Sequence, residues 1–163
     1  FETALSTSAA NLAQAIDWSA RQGLQLANLS LGTPRREHAE LLREAVLRAL
    51  SAGLLVVSAQ SHRAMHWWPG SLPEVVGVVA DAACARDEII IDNSTLGNSL
   101  TLRASPLPRP IPGVPPGQNL RGTSFAVANA TGFLACALAS QAGSDWLQES
   151  IRRTKGKFGK ARS

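Results

Sequence analysis

Long hydrophobic runs are missing from this chain of 163 residues. No window approaches the roughly 20 consecutive apolar residues that a helical membrane span requires, which excludes that class of protein. Cysteine is scarce. Cys84 and Cys136 are the only two, too few for a disulfide scaffold and without metal-ligand spacing, so both are expected to be free, buried thiols. No Met opens the chain and no basic stretch leads into an apolar one after Phe1. No signal peptide is visible, and the chain is expected to be a piece of something longer. Lysine is absent from everything but the end, where Lys155, Lys157 and Lys160 join Arg152, Arg153 and Arg162. The residues before position 152 carry ten arginines against twelve acids. The formal charge of +4 therefore describes an appendage, residues 152–163, expected to be a solvated, disordered tail. Neither a nucleic acid nor a membrane surface is an expected partner.

What is present is enough for a folded domain. A chain of this length can bury roughly 70% of its unfolded surface, and 45% hydrophobic residues exclude a chain too polar to collapse. Ser8 to Gly23 reads as a helix, with a capping Ser, apolar residues at Leu12, Ala13, Ile16 and Ala20, and a Gly where a left-handed residue would end it. Leu24 to Leu31 reads as a short buried strand. A second helix is expected from Glu37 to Ala52, ended by Gly53, because Leu42, Ala45, Val46, Ala49 and Leu50 make a stripe of 3.6-residue period. Leu54 to Ala59 and Val75 to Ala80 are further strands. This alternation predicts an α/β fold with a mostly parallel sheet flanked by helices.

Short strands are expected at Glu88 to Ile91 and Leu100 to Leu102. Between Pro106 and Pro116 lie six of the nine prolines, so that stretch is neither helix nor central strand and is expected to run extended on the surface. From Thr123 to Ala139 the residues are small and apolar on all sides, which predicts a helix packed inside the protein.

Arg121-Gly122-Thr123-Ser124-Phe125-Ala126 runs directly into that helix. It places a Ser hydroxyl where unpaired backbone N–H groups and the positive end of the helix dipole converge, a setting that can stabilise an oxyanion forming beside the Ser. By itself a Thr-Ser pair before a helix is an ordinary N-cap motif.

Gly122-Thr123-Ser124-Phe125-Ala126, with Gly132 eight residues after the Ser, resembles the serine motif of the subtilisin-like serine peptidases. Three further blocks fall in that family's order. Ala15 to Ala20 followed by Ala27-Asn28-Leu29-Ser30-Leu31-Gly32 is similar to its helix and substrate-binding strand. Ala52 to Ala59 is similar to the strand leading to the oxyanion residue. Trp68-Pro69-Gly70-Ser71-Leu72-Pro73 to Val78 is similar to the Pro-containing loop and strand that follow. The resemblance covers about residues 8 to 140 and implies that residues 1–151 are the C-terminal portion of a subtilisin-like catalytic domain, with an incomplete sheet.

What the resemblance implies is peptide-bond hydrolysis through an acyl-enzyme on Ser124, without a cofactor or metal. The substrate would be a peptide or protein. Its backbone would pair with Ser30, Leu31 and Gly32, and Ser58 and Ala59 would line the primary specificity pocket. The oxyanion Asn of the family aligns with Ser61, whose hydroxyl is shorter, and the neighbouring Gln60 carries a longer carboxamide; either is a candidate donor. Ala128 and Asn129 stand where the family has Pro and His. A cis Trp68–Pro69 bond is implied by the resemblance, whereas the sequence alone favours trans. None of Asp17, Asp81, Asp87, Asp92 or Asp145 precedes Ser-Gly or Thr-Gly, and none of His38, His62 or His66 precedes Gly-Thr. The triad Asp and His are therefore expected from a missing N-terminal part of the domain or from a second chain, and this chain alone is expected to be nearly inactive. A non-catalytic relative that binds peptides or a protein partner is the alternative. His62 and His66 are four apart, as on one helix face, but the Trp67-Trp68-Pro69 that follows predicts a loop, with Trp67 and Trp68 anchoring it over the sheet and no metal site.

Overall fold

The computed structural model describes residues 6–62, 65–92 and 100–140. The basic tail lies outside these residues, so the boundary expected at 151 does too.

Local signals account for the helix ends. Helix α1 spans Ala9–Arg21, and the Ser8 hydroxyl accepts from the Asn11 amide at 3.1 Å. Helix α2 spans Ala39–Ser51 after a 3₁₀ turn at Arg36–His38. Gly23 and Gly53 follow these helices with φ of 70° and 88°, a backbone region that disfavours any residue with a Cβ. The strands are β1 (Leu26–Leu29), β2 (Leu55–Ala59), β3 (Ser61–His62), β4 (Met65–His66), β5 (Val76–Ala80), β6 (Ile89–Asp92) and β7 (Thr101–Ala104). Helix α3 spans Thr123–Ala139, the span read from its sequence. β1 is shorter than the apolar run that predicts it.

The main sheet has the order β1-β2-β5-β7-β6. The first four strands are parallel and β6 joins antiparallel to β7, which gives the mostly parallel α/β fold expected. Alternation along each strand splits the core in two. On one face Val57, Ala59, Val78 and Leu102 meet Ala126, Val127, Ala130 and Leu134 of α3. On the other, Val56 and Val75 meet Ile16 of α1 and Leu42 and Val46 of α2. Two ion pairs tie the second layer down. Arg48 grips Asp17 with two bonds of 2.9 Å between α2 and α1 and holds that carboxyl below the ordinary carboxylate range. Arg43 reaches from α2 to the buried Glu74, with bonds of 3.0 and 2.8 Å to one carboxylate oxygen.

Three expectations need correction. Helix α3 is not enclosed, because within the described residues only one stripe of it meets the sheet while Ala128, Gly132, Phe133, Ala135 and Cys136 face outward. For the same reason Cys136 is exposed and only Cys84 is a buried thiol. Burial pushes the Cys84 pKa up, and its Sγ lies 3.3 Å from the Glu88 carbonyl. The segment holding His62 and His66 is a two-stranded hairpin rather than a plain loop, pairing Ser61 with His66 and His62 with Met65.

The Pro-rich segment leaves and returns to one place, since the Gly122 amide donates to the Pro106 carbonyl at 3.0 Å. A 3₁₀ turn at Pro116–Gln118 interrupts its extended course. It delivers the chain to the start of α3.

Candidate active site

Ser124 is the second residue of α3, and the cap position is Gly122, which has no side chain to offer the first amides. The ordinary N-cap role for Thr123-Ser124 therefore does not apply. Ser124 is exposed. Its Oγ lies 3.4 Å from the Ser30 carbonyl, and the Ser30 hydroxyl lies 3.3 Å from the Ser124 carbonyl. This double contact seats the start of α3 on the segment leaving β1.

Further along the helix, Thr131 Oγ donates to the Val127 carbonyl at 2.8 Å and lies 3.3 Å from Asn28 Oδ1. Asn129 donates from one Nδ2 to the carbonyls of Ser105 and Leu107, both at 3.0 Å. These two positions fix the helix to β1 and to the strand exit after β7. The sequence marked Asn129 only as a departure in packing and did not single out Thr131; a polar residue within an otherwise apolar helix was the available signal.

The other site candidates gather at the ends of β1 and β2. Ser58 is fully buried and its hydroxyl lies 3.4 Å from the Leu31 carbonyl. Ala59 is buried as well. Gln60 is held by its backbone, which donates to Val78 at 3.0 Å and accepts from the Trp67 amide at 3.0 Å and the Ser71 hydroxyl at 2.7 Å. Its side chain lies along Gly77, where an added methyl would stand 3.2 Å from Gln60 Cδ. Ser61, half-buried, opens the hairpin.

A loop then crosses both strand ends. Thr33 and Trp68 exchange backbone hydrogen bonds of 2.9 and 2.8 Å. The Trp68–Pro69 bond is cis, as the family resemblance implied and the sequence alone did not. Gly70 sits so close to the Ala59 carbonyl that no side chain fits there. Trp68 anchors the loop over the sheet as expected, packed against the core layer of α1 and α2. A cavity of about 550 Å³ adjoins it, lined by Pro34, Arg36, Met65, His66, Trp68 and Ser71.

The arrangement puts a solvent-facing hydroxyl at a helix start beside an exposed strand extension. Neither His38 nor His66 is hydrogen-bonded to Ser124; His38 stands 3.9 Å from Glu37 and His66 stands 3.3 Å from Ser71. Among the described residues no group of three His, Cys, Asp or Glu side chains is arranged to hold a metal ion.

The sequence model of the subtilase family matches residues 2–155. The chain belongs to the subtilase family. Subtilisin Savinase from Lederbergia lenta is 32% identical over 158 residues, covering 90% of this chain and 53% of its own. An alkaline protease from Alkalihalobacillus alcalophilus is also 32% identical, with 90% and 38% covered. The chain thus spans about half or less of the length of these subtilases. Among solved structures, the PatG macrocyclase in complex with peptide matches with a TM-score of 0.60 at 22% identity, covering 84% of this chain and 42% of that one. Sphericase matches with a TM-score of 0.56 at 20% identity, covering 83% and 51%. Both share the fold.

Proposed function

We propose that this chain is the serine-bearing part of a serine endopeptidase, with Ser124 as nucleophile. The observation that carries the reading is the exposed Ser124 hydroxyl at the uncapped start of α3, held against the Ser30 segment by a reciprocal pair of contacts. A helix start concentrates backbone N–H groups and the positive dipole end, which suits a negative oxygen forming next to the Ser. An extended peptide running beside Ser30, Leu31 and Gly32 would bring its carbonyl carbon to the Ser124 oxygen.

In the reaction the Ser124 oxygen bonds to that carbon while its proton passes to a base. The C–N bond breaks, and the amine leaves with the proton. Water then repeats the addition and frees the acyl group as an acid. The base and the carboxylate that orients it come, in this reading, from a part of the protein outside the 163 residues or from a second chain. Of the two candidates we take Ser61 as the oxyanion donor. Gln60 lies along Gly77, whereas Ser61 stands past the bend that ends β2, at the start of the hairpin.

The test is labelling of the complete protein with a fluorophosphonate. Ser124→Ala is expected to abolish the label while peptide binding persists. Peptide binding by the unaltered protein with no label at all would identify a non-catalytic relative instead.

A further inference from the structure

We propose that Trp67 fills the slot beside the nucleophile and restricts the enzyme to substrates with a small side chain, that of Gly, Ala or Ser, on the residue whose carbonyl Ser124 attacks. This rests on the peptidase reading above and names its substrate class.

Three segments enclose the slot. One is Ser30 to Gly32, joined to Ser124 by the Ser30 contacts. The second is Ser58 to Gln60, joined to the first by the contact between the Ser58 hydroxyl and the Leu31 carbonyl. The third is the loop from Trp67 to Gly70, which hydrogen-bonds to both, through Thr33 with Trp68 and through Gln60 with Trp67. A side chain entering from Ser124 would pass between the first two and end against the third.

The indole of Trp67 packs against the first of these segments. A methyl group on Gly32 would stand 3.1 Å from Trp67 Cε3 and 2.8 Å from the Trp68 carbonyl oxygen, so the ring rests directly on the glycine backbone. The indole nitrogen is buried, and the residue as a whole is half-buried. Ser58 and Ala59, expected to line the primary specificity pocket, are 0% and 6% exposed. The open cavity nearby is lined by other residues, Trp68 and His66 among them. An indole is about as large as any side chain such a slot could take, so what remains admits a methyl or hydroxymethyl group but not a phenyl ring.

The experiment compares three probes on the complete protein: a fluorophosphonate without a peptide, and two peptidyl phosphonates identical except for Ala or Phe at the phosphonate-bearing residue. The expected result is labelling by the fluorophosphonate and the Ala probe, with the Phe probe slower by at least about 50-fold. Trp67→Gly is expected to raise the Phe-to-Ala rate ratio at least about tenfold. Trp67→Leu, which leaves less of a void, is expected to shift the same ratio less. Equal rates for the two peptidyl probes in the unaltered protein would overturn the slot while leaving the peptidase reading intact. No fluorophosphonate labelling would overturn the peptidase reading. In that case the slot is read from the dissociation constants of two N-acetyl peptides ending in Ala or Phe. Preference for Ala that Trp67→Gly removes supports it, and equal binding overturns it.

Discussion

Burial without compensation is the dominant hazard for a single charged residue, and Glu74 shows it. Its carboxylate is 1% exposed while the Arg43 guanidinium that serves it is 33% exposed. The two Arg43 bonds to it go to one oxygen, and among the described residues the other carboxylate oxygen has no hydrogen-bond partner. Removing the arginine therefore leaves a carboxylate in the interior with nothing to balance it. Arg43→Ala is expected to destabilise the protein by about 3 kcal/mol, the low end for breaking a buried pair, because solvent already screens the guanidinium. Denaturant midpoints at neutral pH check this. A loss below about 1 kcal/mol would show that water reaches Glu74. The sequence displays Arg43 and Glu74 only as two charges 31 positions apart. Their partnership exists because α2 and the approach to β5 pack on the same face of the sheet, which no local pattern encodes.

At the level of elements, the ends of helices were legible because their causes are local. Ser8 caps α1, Gly23 and Gly53 turn the chain after α1 and α2, and the small apolar run from Thr123 to Ala139 coincides with α3. Ser124 stands out as a candidate through its motif, while the hairpin of His62 and His66 and the packing of Trp67 against Gly32 do not show in the sequence, because cross-strand pairing and tertiary packing decide them. What holds α3 in place was also hidden. Asn129 gives both of its hydrogen bonds to the carbonyls of Ser105 and Leu107, and so links the helix to the chain leaving β7. An apolar side chain of similar size would leave both carbonyls without that donor. Asn129→Leu is accordingly expected to cost about 2 kcal/mol. Hydrogen exchange at the amides near Ser105 should accelerate with it. A neutral substitution would mean that the Pro-rich segment holds itself, through the bond between Gly122 and Pro106.

The whole molecule presents one contradiction, an apolar helix with an outward apolar face. A helix hydrophobic on all sides belongs in an interior, yet Phe133 of α3 is 47% exposed and Leu31, beyond β1, is 44% exposed. The outward residues Ala128, Gly132, Ala135 and Cys136 continue the face that begins at Ser124. In the proposed reading the missing base must reach Ser124, so the piece that brings it also lies against this face. Cover and catalysis would then arrive together. Cys136 reports on that cover without any need for activity. In the 163-residue chain alone, a thiol reagent is expected to modify Cys136, and the protein to self-associate through the bare face. In the complete protein the same thiol should react at least about tenfold more slowly. Cys84, buried and with its thiol pKa raised, should stay unmodified in both. A monomeric chain with a single cooperative thermal transition would remove the case for association, since a molecule short of its cover should not behave as a finished domain. Equal reactivity of Cys136 in both forms would place the base-bearing piece elsewhere and separate the cover of α3 from the completion of the site.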